Sequence, residues 1–463
     1  MTISPQATSS RPERILLEVA DFLADPVAAA RFPQTILRFR NDRAAAEVGL
    51  DGLSDAEWLA HFGRFEPLPG SLPEPLALRY HGHQFRAYNP DIGDGRGFTF
   101  AQVRDEDGRL LDLGTKGSGT TPYSRFGDGR LTLKGGVREI LATEMLEALG
   151  VRTSRSFSLV ETGEALHRGD EPSPTRSAVL VRLSHGHIRI GSFQRLATLG
   201  QPAEMARLVA YVLEQLYGEQ PGEAPALQLL EHVVAGTARL AASYMAAGFV
   251  HGVLNSDNIN VTAESFDYGP WRFTPFWDTG FTAAYFDAQG LYAFGRQAQA
   301  IHWDVVQLAI ALTKLADVEA LGAILDAFPA LYEQAHAAAM LARLGVTPRG
   351  EAEDLALVQA IEESLTPGSV TIDRFFFDWA GGRRRAPSPA DDAYAADFAG
   401  LEALLAPYAP SRRLDHAYWS DAEPCSMHIA EVEAIWSAID RDDDWAPLHA
   451  KVAAIRRMGE ALA

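Results

Sequence analysis

The stretch LLDLGTKGSGTTPYSRFGDGR (110–130) passes from a β-like run into a glycine-rich loop, and it decides the fold class. Its first part, 110–116, predicts a short strand that ends on Lys116, and the glycines behind it indicate turns. Two more β-like runs, 97–103 and 131–133, lie on either side. The region around Lys116 is therefore predicted to be a sheet.

One helix is predicted directly after this stretch, at about 135–149. Its apolar residues recur every three or four positions, and Gly150 follows as a stop signal. Strands are then predicted at 156–161 and 178–183, where the β-rich pattern ends. The remaining helical patterns lie at 203–217, 226–247, 301–316, 318–345, 351–364, 395–406, 426–440 and 445–462.

This element order predicts an α+β fold with a β-rich lobe, one prominent helix and a mostly helical second lobe. The predicted segments are an N-terminal extension (1–75), the β-rich lobe (76–200), the helical lobe (201–366) and a C-terminal helical extension (367–463). Residues 367–392 are predicted to be a turn-rich connection with an exposed Arg383–385 run.

Composition and charge limit the function classes. Of 463 residues 47% are apolar, which is enough for a large core, and 61 acidic against 41 basic residues give a net charge of −20. That charge repels phosphate backbones and anionic lipid, so no nucleic-acid or membrane partner is expected. A single cysteine, Cys425, rules out an intrachain disulfide and suits a reducing compartment. With a polar N-terminus and no long apolar run, a cytoplasmic location is expected.

Five residues occur along the chain in an order typical of enzymes that transfer phosphoryl or nucleotidyl groups. They are Lys116, Glu139, Asp257, Asn258 and Asp267. A strand lysine can neutralise a polyphosphate, and a helix glutamate can hold that lysine by an ion pair. Asp and Asn oxygens suit Mg²⁺, and a second carboxylate can take a proton from an attacking hydroxyl. Taken singly, each residue is better explained as a solvated surface or turn residue.

The order matches the protein-kinase template of strand Lys, helix Glu, a loop with Asp and Asn, and a later Asp-Phe-Gly, here Asp-Tyr-Gly (267–269). It also departs from that template. His251 is not followed by Arg-Asp, and no G-x-G-x-x-G loop precedes Lys116. A standard kinase interpretation is therefore incomplete, and His251 is expected to orient its loop by hydrogen bonding.

Six motifs closely resemble the selenoprotein-O family of kinase-fold pseudokinases that act as protein adenylyltransferases. They are HGHQF (81–85), IGDGRG (92–97), LGTKGSGTTPYSRFGDGR (113–130), VREILATE (137–144), HGVLNSDN (251–258) and DYGP (267–270). The resemblance implies a two-lobed kinase-like fold and ATP bound in a flipped orientation. It also implies transfer of AMP to Ser, Thr or Tyr hydroxyls of proteins, with release of pyrophosphate.

The same resemblance implies roles for individual residues. Asp257 matches the proposed proton acceptor, Glu139 the partner of the strand lysine, and Asn258 with Asp267 the ligands of Mg²⁺, or of Mn²⁺ in its place. The implied ATP-binding residues are Gly93, Gly95, Arg96, Lys116, Asp128, Gly129, Arg182, Arg189 and Asp267.

Two other functions stay open at this point. One is a phosphotransferase that uses the γ-phosphate, as kinase folds usually do. The other is a non-catalytic ATP-binding scaffold. The family's cysteine-based redox control is not expected, because Cys425 is the only cysteine.

Overall fold

An antiparallel sheet and a large set of helices make up this mixed α+β protein. The computed structural model describes residues 10–169, 171–385 and 387–463. The strands are β1 (Arg11–Glu13), β2 (Ala24–Pro26), β3 (Ile36–Arg40), β4 (Leu76–Leu78), β5 (Gly82–Gln84), β6 (Ala87–Asn89), β7 (Thr99–Arg104), β8 (Leu110–Lys116), β9 (Leu131–Thr132), β10 (Arg155–Leu166), β11 (Thr175–Ser184), β12 (Phe249–Val250) and β13 (Arg272–Phe273).

The helices lie mainly after the sheet strands. They are α1 (Ala20–Leu23), α2 (Asp42–Glu47), α3 (Asp55–Phe62), α4 (Leu133–Ala148), α5 (Ile190–Thr198), α6 (Pro202–Tyr211), α7 (Pro225–Ala247), α8 (Gln297–Leu312), α9 (Val318–Leu325), α10 (Phe328–Leu344), α11 (Glu351–Leu365), α12 (Ile372–Asp378), α13 (Asp391–Asp397), α14 (Leu401–Leu405), α15 (Ile429–Asp442) and α16 (Ala446–Leu462).

The main sheet has the strand order β2-β4-β7-β8-β11-β10-β3, with β1 added on β7 and β9 on β11. Strand β8 ends at Lys116, as the sequence predicts. In the β8–β11 pair, Lys116 lies opposite Leu180 and Gly114 opposite Arg182. Because alternate residues share a face, Lys116 and Arg182 are diagonal neighbours on one side of the sheet. The strands of the predicted N-terminal extension, β1 to β3, pair with this sheet.

Helix α4 packs on strands β10 and β11 and is the helix predicted at 135–149. The Thr132 hydroxyl caps its start by accepting a hydrogen bond from the Gly135 N–H, and Gly150 follows its end in the left-handed region. The predicted apolar face consists of Val137, Ile140, Leu141, Met145 and Leu149. The first four are fully buried, and Leu149 is partly buried. Glu139 is buried on the same helix.

The helical part departs from the sequence prediction in three places. The helix predicted at 395–406 is divided between α13 and α14, with Gly400 at φ +95° before α14. The single helix predicted at 318–345 is two helices, α9 and α10. Pro329 stands in the first turn of α10, where a proline without an N–H starts a helix rather than continuing one. The turn-rich connection predicted at 367–392 contains α12, whose phenylalanines are buried, and Arg385 stacks on the Phe377 ring instead of being exposed.

The last two helices return to the sheet region, where α15 and α16 both contact α4. Within the described part of the chain, no helix combines the length and the apolar character needed to cross a membrane.

Candidate functional site

A cavity of about 720 Å³ opens where the end of β8, the 117–130 loop and the 257–267 region meet. Among the described residues, seven Arg and Lys side chains and four aspartates line it. The predicted site residues that line it are Gly93, Gly95, Arg96, Lys116, Asp128, Gly129, Arg182, Arg189, Asp257 and Asp267. Glu139 and Asn258 are not part of the lining. The fold thus concentrates positive charge in one cavity of a chain whose net charge is −20.

Lys116 makes the central ion pairs of the cavity. Its Nζ lies 2.5 Å from Oε1 of Glu139 and 2.6 Å from Oδ1 of Asp267, and both Lys116 and Glu139 are almost fully buried. Arg182 Nη1 lies 3.4 Å from the same Asp267 oxygen. Burial alone would raise the pKa of Asp267, but Lys116 and Arg182 lower it well below its ordinary value. Asp267 is therefore a stable anion between two cations.

Arg189 is buried on the wall of the cavity. Its guanidinium lies over the rings of Tyr80 and Phe266, 4.3 and 4.8 Å from their centroids, and its Nη2 lies 3.2 Å from Oδ1 of Asp94. Its Nη1 donates to the backbone carbonyl of Asp257 at 3.0 Å. These contacts fix the guanidinium in place and attach it to the loop that carries Asp257.

The 117–130 loop closes one side of the cavity. A Cβ on Gly93 would lie 2.5 Å from the Tyr123 ring, so only glycine lets this loop approach. Gly129 has φ +68°, and a Cβ on it would lie 2.2 Å from the backbone of Gly119. Asp128 is exposed and binds Arg168 through two hydrogen bonds of 2.9 and 3.1 Å. Partial burial raises the pKa of Asp128, but the hydrogen bonds from Arg168 and the Arg130 N–H, together with the charges of these two arginines, outweigh it and lower the pKa.

Asp257 lies in a short 3₁₀ turn, Ser256–Asn258, and is 7% exposed. Its Oδ1 is buried without a hydrogen-bond partner. Burial raises the pKa of this carboxyl to about 6, against the lowering effect of Arg189. Asp257 therefore has a carboxylate oxygen that is free to accept a hydrogen bond. A group that takes a proton from a bound hydroxyl needs such an oxygen.

Asn258 lies beside Asp257, and its Nδ2 donates to the Val253 carbonyl at 3.0 Å. That bond fixes the amide group and leaves its oxygen for other partners. Across the described ranges, no group of three or more His, Cys, Asp or Glu side chains is arranged to hold a metal ion. Mg²⁺ in nucleotide enzymes needs only one or two protein carboxylates, since phosphates and waters complete its shell. Asn258 and Asp267 carry oxygen donors of the type that this ion prefers.

His251 behaves as the sequence predicts, as a residue that orients the loop. Its Nε2 lies 3.0 Å from the Phe266 carbonyl, and its backbone N–H donates to Gln297 at 3.0 Å. Burial lowers the pKa of its imidazole. The ring therefore joins the segment before Asp257 to the segment before Asp267 as a neutral group.

Several residues of the cavity were missed by the sequence analysis. One of them is Asp94, which lies inside the IGDGRG motif. A buried Arg189 needs a carboxylate partner, and this requirement could have indicated Asp94. Arg168 gave no such signal, because only the β10–β11 hairpin brings it to Asp128. The other lining cations that the sequence analysis passed over are Arg125 and Arg130.

The geometry describes a cavity rich in cationic side chains, an arrangement suited to an anionic ligand such as a polyphosphate. Arg182 Nε and Arg189 Nε are both buried without partners within the described chain. Buried donors of this kind need an acceptor, and an anionic ligand in the cavity would supply it.

Comparison with known proteins identifies the family. The model of the family described as protein adenylyltransferase SelO matches residues 9–393. A protein nucleotidyltransferase YdiU of Gloeobacter violaceus is 44% identical over 96% of this chain and 95% of the relative. Relatives of the same name from Synechococcus elongatus and Synechocystis sp. are 42% and 40% identical, over 95% and 92% of this chain and 94% and 93% of the relatives. The chain belongs to the SelO family of protein adenylyltransferases. The predicted family and enzyme class are thereby confirmed, and ATP is the substrate that such an activity implies.

Proposed function

We propose that this enzyme transfers AMP from ATP to Ser, Thr or Tyr hydroxyls of acceptor proteins and releases pyrophosphate. The observation that carries the proposal is a cavity in which Lys116, Arg182 and Arg189 surround one fixed anion, Asp267, beside Asp257, whose Oδ1 has no hydrogen-bond partner. Family membership supports the same reaction class.

In the proposed step the acceptor oxygen forms a bond to the α-phosphorus of ATP. The bond from that phosphorus to the oxygen of the pyrophosphate group breaks, and pyrophosphate leaves. The hydroxyl proton passes to the Asp257 carboxylate. Lys116, Arg182 and Arg189 stabilise the negative charge on the phosphates, which is where most of the rate gain in such transfers arises.

Asn258 and Asp267 are the proposed ligands of Mg²⁺, or of Mn²⁺ in its place. The ion, when bound, supplies further positive charge to the phosphates. Asp267 is suited to the role because its carboxylate stays ionised between Lys116 and Arg182. The proposed ATP contacts are the remaining predicted residues of the cavity, namely Gly93, Gly95, Arg96, Asp128 and Gly129.

The wider organisation that we propose is the kinase-like one. Residues 76–200 form the β-rich lobe and 201–366 the helical lobe, with 1–75 and 367–463 as extensions. The proposed compartment is the cytoplasm, where ATP is abundant and a protein with one cysteine among 463 residues stays reduced.

Labelled ATP tests the proposal directly. Purified enzyme with acceptor proteins from a lysate should incorporate label from α-phosphate-labelled ATP and none from γ-labelled ATP. Asp257→Asn should lower incorporation about 10²-fold or more, the usual contribution of a general base. Incorporation from γ-labelled ATP would instead identify a phosphotransferase, and ATP binding without any covalent product would identify a scaffold.

A further inference from the structure

The motif HGHQF (81–85) has no role in the site as described so far, yet it lies against the loop of Asp257. It folds into the hairpin β5–β6, in which His83 pairs with Tyr88. Four successive residues of the hairpin, 82–85, contact three successive residues of the loop, 255–257. This continuous contact indicates that the hairpin and the loop act together.

The first part of the contact is a closed ring of hydrogen bonds. The His83 backbone N–H donates to Ser256 Oγ, Ser256 Oγ donates to Gln194 Oε1, and Gln194 Nε2 contacts His83 Nδ1, each at 2.7 Å. Burial lowers the pKa of His83, which keeps its Nδ1 free to accept. Ser256 and Gln194 are both buried. The ring therefore fixes the residue before Asp257.

The tip of the hairpin binds the next residue back along the loop. The Phe85 N–H and the Tyr292 hydroxyl both donate to Asn255 Oδ1, at 3.0 and 2.7 Å. Phe85 and Arg86 form the two-residue turn with φ of +50° and +63°. Side chains other than Gly, Asn and Asp rarely adopt this conformation, and it persists only where surrounding contacts impose it. A strained turn held against a catalytic loop is a typical sign of a functional constraint.

The middle of the hairpin reaches Asp257 itself. The Gln84 side chain lines the cavity together with Asp257 and lowers the pKa of the Asp257 carboxyl. Gln84 Oε1 accepts from Asn89 at 3.0 Å, which leaves the Gln84 amide nitrogen free to donate to another group. A Cβ on Gly82 would lie 2.9 Å from Asp257 Cβ and 3.0 Å from its Oδ1. Gln84 and Gly82 together determine where the Asp257 carboxylate lies.

We propose that Gln84 and Gly82 are positioning residues, which hold the Asp257 carboxylate at the angle and distance from which it meets the acceptor hydroxyl. The proposal rests on the proposed function, in which Asp257 accepts the proton. Because the hairpin acts through Asp257, changes in the hairpin are expected to lower kcat and to leave the affinity for ATP unchanged.

A double-mutant cycle tests this inference. Gln84→Ala and Gly82→Ala should each lower the kcat for AMP transfer about 10- to 100-fold, as small displacements of a catalytic group do, and leave the KM for ATP within about twofold. In the Asp257→Asn background the same changes should lower the residual rate less than about twofold, because the group they position is no longer a base.

Matched controls separate positioning from general disturbance of the fold. Gly52→Ala adds a Cβ in open space, and Gln359→Ala removes a glutamine that donates to a surface carboxylate, Glu363, at 2.8 Å. Both controls should leave kcat unchanged. Thermal melting of every variant checks folding, and Gly82 is outside the positive-φ positions, so alanine fits its backbone.

The possible outcomes separate the positioning role from the proposed function. If Asp257→Asn is impaired but Gln84→Ala and Gly82→Ala lower its residual rate as much as they lower that of the native enzyme, the positioning role is wrong and the proposed function stands. A large rise in the KM for ATP with unchanged kcat would likewise overturn the inference. If the native enzyme transfers no AMP, the proposed function fails, and the inference fails with it.

Discussion

At the scale of single residues, Lys116 shows how much depends on one buried charge. It neutralises two carboxylates, Glu139 and Asp267, that come from a helix and a loop far apart in sequence. Glu139 already has one buried oxygen, Oε2, without a partner. Removing the lysine would therefore leave a buried glutamate with no compensating charge.

Lys116→Ala should abolish AMP transfer and lower the free energy of unfolding by about 3–5 kcal/mol, the range for breaking a buried pair. Urea unfolding and α-label incorporation measure the two effects. Lys134→Ala is the control, because its pair with Glu433 lies at the surface of the protein, and it should cost under about 1 kcal/mol. Full activity in Lys116→Ala would contradict the proposed site.

Asp267 carries the second prediction at this scale. Asp267→Ala should remove turnover together with the Mg²⁺ dependence of ATP binding, since it takes away one proposed ligand of the ion. Calorimetric titration of ATP with and without Mg²⁺ measures that dependence. A variant that still binds ATP more tightly with Mg²⁺ and still turns over would contradict the metal assignment.

At the scale of elements, helix α5 connects the sheet to the loop that carries Asp257. Its residue Gln194 contacts both His83 and Ser256. Its first turn lies so close to the chain before β5 that the His81 N–H donates to the Gly191 carbonyl at 3.1 Å. The placement of α5 thus sets the distance between the hairpin and the loop.

Gly191→Ala should separate these elements, because its Cβ would lie 2.1 Å from the His81 carbonyl oxygen, and backbone cannot yield as a side chain can. We expect a loss of about 1–3 kcal/mol in unfolding free energy, typical of overpacking, and reduced AMP transfer. Gly322→Ala in α9 meets no atom within 4 Å and should gain about 1 kcal/mol from helix propensity. Equal melting temperatures for the two variants would contradict this account.

At the scale of the whole molecule, the C-terminal helices α15 and α16 pack against α4. Helix α16 lies beyond the family match at 9–393, yet it packs on α4, the helix that carries Glu139. Arg456 donates to both carboxylate oxygens of Glu144 on α4, at 2.8 and 2.6 Å, and Glu144 is 3% exposed. The chain end therefore contributes to the position of α4.

Arg456→Met should lower the unfolding free energy by about 2–3 kcal/mol, since a buried carboxylate loses its charged donor. The neighbouring Arg457 pairs with Asp421 at the surface, so Arg457→Met should leave stability unchanged. Chemical denaturation of both variants gives the comparison. Equal destabilisation would show that α16 contributes bulk contact and not this specific bond.

The sequence by itself determined the local elements and the chemistry of the chain. The strand ending at Lys116, the amphipathic α4 and the motifs around Asp257 and Asp267 follow from residues close together in sequence, where periodicity and turn chemistry act. The prediction of a single helix at 318–345 was wrong, because Pro329 starts a new helix within a continuous apolar pattern.

Only the tertiary structure decided which distant groups meet. The pairing of Arg168 with Asp128, of Asp94 with Arg189 and of the 82–85 hairpin with residues 255–257 all depend on how the strands pair and on where α5 packs. Such contacts are set by the summed burial of many side chains across the whole fold. No local pattern in the sequence contains that sum.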